Sequence, residues 1–270
     1  MLKFEANLTF LFNEVTFFDW FEAARRAGFT HAEFLSLLTL DPDELVHAVR
    51  ESGLQIVQYN FLDGDLAAGE RGFASHPDQR DRWREAFILA LEMAQQIHPY
   101  QMHSIVGVRR PDLPYETQIA TLVENLRWAV PRLEAAGIPL MVEPLNEDDN
   151  PGYLLQTAES VIEVLQLVDS PWVRCQFDIY HIQRAQGDVT RRLRACMPHI
   201  GHIQIADNPG RHEPGTGEIN FRNVLRAVQE SGYSRYIGLE YRPLIDTESS
   251  LEWLPMAARG RPCDVGELKL

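Results

Sequence analysis

Apolar residues in this chain alternate between two rhythms. Short runs of strand length are followed by longer stretches with apolar positions three and four apart, several of them stopped by a glycine. Leu2 to Leu8 is the first run, ending near Asn7. Phe17 to Ala27 is the first helical stretch, with Phe18, Phe21 and Ala24 on one face and Gly28 behind it. Thr30 to Leu35 is a second strand. Asp41-Pro42-Asp43-Glu44 opens a helix, Asp41 as its cap and Pro42 in its first turn, which runs to Ser52-Gly53. Leu54 to Asn60 is the third strand. Leu62 to Pro77, rich in Gly and Asp, reads as a long loop of the kind that compact domains keep for function. The alternation then resumes with a helix over Asp78 to Ile97, a strand over Gln101 to Val106, a helix over Tyr115 to Ala136 and a strand over Ile138 to Glu143. A helix over Thr157 to Val168, a strand over Val173 to Asp178, a helix around Val189 to Met197 and a strand over Gly201 to Ala206 follow. After a Pro- and Gly-containing loop, Asn208 to Glu218, come a helix over Phe221 to Glu230, a strand over Tyr236 to Tyr241 and a closing helix over Glu248 to Ala258.

Eight strands alternating with eight helical segments predict an α/β fold, a closed parallel (β/α)8 TIM barrel forming one domain over residues 1–270, since closure leaves no sheet edge. An open doubly wound sheet is the second choice. Against it, no Gly-x-Gly-x-x-Gly follows the first strand and no Walker-type loop occurs.

Bulk properties narrow the function. With 39 acidic against 25 basic side chains the net charge is −14, which repels nucleic acid and anionic membrane surfaces, and no apolar run approaches a membrane span. The three cysteines, 175, 196 and 263, show no spacing for a disulfide scaffold or zinc ribbon, and Cys175 reads as a small buried hydrophobe. Met1 to Asn7 lacks signal-peptide architecture, so a reducing cytoplasm is the expected compartment. The expected partner is a small molecule, and the fold leaves room for a homo-oligomer.

In a barrel of this kind the C-terminal strand ends share one face, where active sites sit. The polar residues at those ends are Asn7, Glu33, Asn60, His103, Glu143, Asp178, Gln204 and Glu240. Three carboxylates and an amide from four successive strands cannot all stay close and ionised without a cation. Oxygen donors favour Mg²⁺ or Mn²⁺. Such an ion acidifies a C–H beside a carbonyl, and Glu143 and Glu240 supply a base and an acid for moving a carbonyl along a chain through an enediol. His181, three residues after Asp178, is a candidate substrate contact, and Arg211, in a loop stiffened by Pro and Gly, a candidate anion contact. From the residues alone, Asn7 and Glu33 read as supports of the barrel layers, His103 as a core or rim histidine, and the aromatic run from Phe10 to Phe21 as mostly core.

Several stretches resemble the hydroxypyruvate isomerase family, which includes 2-oxo-tetronate isomerases, within the xylose isomerase-like barrels. They include Gly64-Asp65…Ala67-Ala68-Gly69-Glu70-Arg71-Gly72, Glu143-Pro144-Leu145-Asn146 and Gln176-Phe177-Asp178-Ile179-Tyr180-His181. Ile200 to Pro209, Gly215 to Asn220 and Gly238-Leu239-Glu240-Tyr241-Arg242-Pro243 extend the likeness over nearly the whole chain. The resemblance implies Glu143, Asp178, Gln204 and Glu240 as metal ligands, with Glu143 and Glu240 as the acid/base pair. It implies His181 and Arg211 as substrate contacts and the interconversion of hydroxypyruvate and tartronate semialdehyde; Asn7, Glu70, Arg71 and His103 complete the candidate substrate-binding set. The alternatives are a 2-oxo-tetronate isomerase or a ketose 3-epimerase on the same barrel, then an apurinic-site nuclease or a non-catalytic sugar-acid binding protein. The chain departs from the family pattern at Trp20, where an Arg is usual, at Ser36-Leu37-Leu38, where an aromatic-Pro-Tyr segment is usual, and at Ser104 to Gly107.

Overall fold

A computed structural model describes residues 1–35, 41–61, 64 and 69–270. Ser36-Leu37-Leu38, and Asp65, Ala67 and Ala68 of the long loop, lie outside the described residues.

Eight parallel strands close into a barrel in sequence order: β1 (Phe4–Asn7), β2 (His31–Phe34), β3 (Gln55–Asn60), β4 (Gln101–Ser104), β5 (Leu140–Val142), β6 (Val173–Asp178), β7 (Ile200–Ile205) and β8 (Ile237–Leu239). β1 pairs with both β2 and β8, so every ladder hydrogen bond has a partner strand. Around it lie α1 (Phe17–Arg26), α2 (Pro42–Ser52), α3 (Arg80–Ile97), α4 (Tyr115–Ala136), α5 (Ala158–Val168), α6 (Ile179–Gln186), α7 (Val189–Cys196), α8 (Phe221–Glu230), α9 (Thr247–Ser250) and α10 (Met256–Arg259). Local chemistry sets their ends. Asp41 Oδ1 accepts from the N–H groups of Asp43 (2.9 Å) and Glu44 (3.3 Å), and Gly53 takes φ +67° behind α2. Thr157 and Ser160 form a capping box on α5.

Three expectations need correction. The closing helix over Glu248 to Ala258 is two short helices, α9 and α10, because Pro255 forces the chain out of the helical region between them. The connection from β6 to β7 holds a second helix, α6, that begins directly on the strand. Asp178 ends β6 and also caps α6, its Oδ1 accepting from the Tyr180 N–H at 2.9 Å, so no polar linker announces the helix. Phe18 does not share the buried face of Phe21 and Ala24; it is half exposed and meets Phe17 edge-on.

Arg259 to Leu270 docks onto the start of the chain. Leu2 and Cys263 exchange backbone hydrogen bonds of 2.8 and 2.9 Å, and Arg259 donates to Ala27, Leu251 and Leu254 carbonyls.

Strand residues alternate faces, except that the β2–β3 register shifts between Ile56 and Gln58, which therefore face opposite ways. Phe4, Ala6, Ile56, Met102, Leu140, Phe177, Ile203 and Leu239 pack beneath the helices. The opposite face, which lines the barrel interior, is polar to an unusual degree: Glu5, Asn7, Glu33, Gln58, Gln101, His103, Gln176, His202 and Gln204 are all buried there and largely bonded to one another. The exceptions are His103, whose two ring nitrogens have no hydrogen-bond partner, and Glu5. Its carboxylate lies 3.3 Å from His202 Nε2, but that nitrogen is closer to Glu33 Oε2, at 2.8 Å, and neither Glu5 oxygen has a hydrogen-bond partner. Burial, then the Glu33 charge, pushes the Glu5 pKa well above the usual value of 4.5. A carboxyl raised by folding binds its proton more tightly in the native state, so its unfavourable contribution appears above pH about 4.5 and grows with pH. Glu5→Gln is therefore expected to raise the melting temperature by a few degrees, on the order of 1–3 kcal/mol at neutral pH. The gain should fade as pH falls towards about 4.5. Melting curves of both proteins across that range check it; a gain that does not depend on pH contradicts the assignment.

Candidate active site

The C-terminal ends of the strands open into a cavity of about 540 Å³. Its wall includes Glu143 after β5, Gln176 on β6, Tyr180 and His181 on α6, Arg211 in the loop after β7, and Glu240 and Arg242 after β8. Asp178 and Gln204 lie deeper, both essentially inaccessible, as direct register partners on β6 and β7.

Arg211 joins the acids. Its Nη2 sits 2.7 Å from Glu240 Oε1 and 3.5 Å from Asp178 Oδ2, and its guanidinium lies over the rings of Tyr180 (5.0 Å) and Phe10 (5.3 Å). The loop carrying it is organised by Asp207. That buried carboxylate accepts four backbone N–H bonds, from Asn208, Gly215, Gly217 and Ile219, at 2.8 to 3.0 Å. Gly217 is needed there, since a Cβ would collide with the Asn208 carbonyl and the Asp207 carboxylate.

Burial and crowding make the carboxyl groups hard to ionise. Burial first, then the charges of Glu240 and Asp178, pushes Glu143 well above its ordinary value. Glu240 is raised by burial despite Arg211, and Asp178 is pushed up to about 6 by burial, again against Arg211. Burial opposes the charge on Arg211, but Glu240, Asp178 and Glu143 outweigh it and hold its pKa above the ordinary arginine value.

These residues fit a hard cation. Glu143 Oε1 and Asp178 Oδ2 are buried carboxylate oxygens without a hydrogen-bond partner, which is costly unless a cation or proton neutralises them. Ligand-type atoms of Glu143, Asp178 and His181 lie within 4.8 Å of one another. His181 is the less suitable member. Its Nδ1 accepts from the Asn146 backbone N–H at 3.3 Å, and burial, reinforced by Arg211 and Arg184, keeps the ring neutral. The remaining proton is then on Nε2, which faces Asp178 Oδ2 at 3.6 Å as a donor with no lone pair to give. That suits a substrate contact.

The expected substrate-binding residues divide. His181, Arg211, Arg71 and His103 line the cavity. Burial drives the His103 pKa down to about 3, so it is neutral, 3.5 Å from Glu143 Oε2. Asn7 turns away to Glu33, at 3.0 Å, and Glu70 pairs with Arg82 at 3.2 and 3.3 Å; neither is on the cavity wall. Trp20 is also off the wall: its Nε1 donates to the Val15 carbonyl and its ring meets Phe17 edge-on. Gln176, Tyr180, Arg184 and Arg242 were not anticipated. For Gln176 a signal was present, because it lies two residues before Asp178 on one strand and so shares its face.

The xylose isomerase-like TIM barrel family matches residues 21–256. The chain is 38% identical to the hydroxypyruvate isomerase of Escherichia coli K12, over 94% of this chain and 98% of that one. It is 37% identical to the 2-oxo-tetronate isomerase of Cupriavidus necator, with the same coverage. A crystal structure from Brucella melitensis described as AP endonuclease, family 2, superposes with a TM-score of 0.90 at 36% identity, over 94% of this chain and 98% of that one. The chain therefore belongs to the xylose isomerase-like TIM barrel family, in the branch of keto-aldo isomerases that holds hydroxypyruvate isomerase and 2-oxo-tetronate isomerase.

Proposed function

We propose that this enzyme interconverts hydroxypyruvate and tartronate semialdehyde with the aid of a divalent cation, Mg²⁺ or Mn²⁺. The observation that carries the proposal is the pairing of Glu143 and Glu240 on one cavity above the buried Asp178, with Arg211 against Glu240 and Asp178. Glu143, Asp178, Gln204 and Glu240 would hold the cation, which supplies Lewis-acid polarisation of the substrate carbonyl. One glutamate removes a proton from C3 of hydroxypyruvate and the other delivers one to C2 of the enediol; the hydroxyl proton moves from O3 to O2, so the net change is a carbonyl shifted by one carbon. Raised pKa values suit this division, because an acid must start protonated and closely spaced carboxyls resist ionising together. The neutral His181 donates a hydrogen bond to a substrate oxygen, and the Arg211 cation balances the acids.

With hydroxypyruvate in D₂O and added Mg²⁺ or Mn²⁺, solvent deuterium is expected at C2 of the product. No turnover together with no exchange of the C3 protons would overturn the assignment. Four-carbon 2-oxo-tetronate is the second reading, favoured by the 37% identity to the 2-oxo-tetronate isomerase of Cupriavidus necator. Comparing kcat/KM for the two acids decides between them. A net charge of −14 opposes a nuclease role, since a phosphate backbone would be repelled.

A further inference from the structure

We infer that Gln176 is a positioning residue that fixes both Glu143 and Gln204, and that its own orientation is set by a buried relay of side-chain amides ending on Glu33. This rests on the reading of Glu143 as an acid/base group and Gln204 as a cation ligand.

The relay crosses the barrel interior. Gln101 Nε2 donates to Gln58 Oε1 (3.0 Å), Gln58 Nε2 to Gln176 Oε1 (2.7 Å), Gln176 Nε2 to Gln204 Oε1 (2.6 Å), and Gln204 Nε2 to Glu33 Oε1 (2.9 Å). Each of the five side chains belongs to a residue at most 2% exposed. The second hydrogen of Gln176 Nε2 goes to Glu143 Oε2 at 3.0 Å, so one NH₂ group ties the two functional side chains together.

A primary amide is nearly symmetrical in shape, so sterics alone do not choose between its two flipped orientations. Hydrogen bonding must choose, and an ionised carboxylate accepts without donating. Glu33 accepts from Gln204, from Asn7 Nδ2 at 3.0 Å and from His202 Nε2 at 2.8 Å. With Glu33 at the end, Gln204 must turn its NH₂ towards β2, leaving its Oε1 beside Gln176 and open to a further interaction through its second lone pair. Reversing the relay would set the Gln204 oxygen against the Glu33 carboxylate and the Gln176 oxygen against Glu143. Gly238 makes the arrangement possible, because a Cβ there would collide with Glu33 Oε1. The same donation leaves Glu143 Oε1 as its oxygen without a hydrogen-bond partner.

Two isosteric variants test this in the full-length protein: Glu33→Gln, which lets the end of the relay donate as well as accept, and Gln176→Glu, which removes both N–H bonds. The readouts are Mn²⁺ affinity, measured by titrating Mn²⁺ and following the free ion by electron paramagnetic resonance, and kcat and KM for hydroxypyruvate. Glu33→Gln is expected to weaken Mn²⁺ binding about 10–100-fold, with kcat recovering at saturating Mn²⁺ because the variant acts through Gln204. Gln176→Glu is expected to lower kcat at least about 10-fold and stay low at saturating Mn²⁺, since Glu143 is also released. Gln58→Met, one link away, should show a smaller loss of Mn²⁺ affinity of the same sign and decides the matter if the closer variants do not fold. Variants that match the parent in Mn²⁺ affinity and kcat overturn the inference alone. A parent that neither binds Mn²⁺ nor turns over hydroxypyruvate overturns the functional reading and this inference with it.

Discussion

Replacing Glu143 or Glu240 by Gln is expected to lower kcat by about 10²–10⁴ while leaving the fold intact, the range that a positioned general acid or base contributes. The substitution keeps the shape of the side chain and removes only its capacity to take or give a proton. Glu143 is buried and burial and neighbouring acids raise its pKa, so a neutral amide there does not create a worse unpaired charge than it removes, whereas Glu240→Gln takes from Arg211 its nearest carboxylate. Glu143→Gln in metal-free protein should therefore melt no lower than the parent at neutral pH. Steady-state kinetics with hydroxypyruvate, paired with melting curves, check both statements. In the proposed reaction the two glutamates act on one substrate in sequence, so the double variant should be little slower than the worse single one. Single variants that keep near-parental kcat would remove Glu143 and Glu240 from the chemistry.

The second large effect is on stability. Removing divalent metal with a chelator is expected to lower the melting temperature, and added Mn²⁺ to raise it, because a ligand that binds only the native state stabilises it by RT ln(1 + [L]/Kd). That is about 2.7 kcal/mol at a hundredfold excess over Kd. Protons compete for the same oxygens. Asp178 has its folded-state pKa pushed up to about 6, above an ordinary value of 3.8, so in metal-free protein it binds protons more tightly than the unfolded chain does. The native state then loses stability as pH rises between about 4 and about 6, and the metal must displace a proton below about 6. The gain in melting temperature from Mn²⁺ should accordingly shrink as pH is lowered from neutrality through about 6. A melting curve unmoved by chelator and by Mn²⁺ at neutral pH would leave the carboxylates without their proposed partner.

Much of this protein is determined by its sequence alone. The alternation of strand-length apolar runs with helical spacing marks all eight strands, because both periodicities are local, and closure follows since an open edge would leave backbone groups unpaired. The strand-end positions of Glu143, Asp178, Gln204 and Glu240 were legible because the C-terminal ends of a parallel barrel share a face. What local pattern did not reveal is how side chains meet across the barrel. Gln58 and Gln176 are 118 positions apart, and His202 and Glu33 are 169 apart. Only closure brings them within hydrogen-bond reach, and it gives the interior its direction of donation. Tertiary structure likewise turned Asn7 and Glu70 away from the cavity, held the Arg211 loop on the Asp207 carboxylate, and set Arg211 against Glu240. The physical reason is common to these cases. Which residues face inward is a matter of period, but which partner a buried polar group takes depends on every other group that must be satisfied in the same enclosed space.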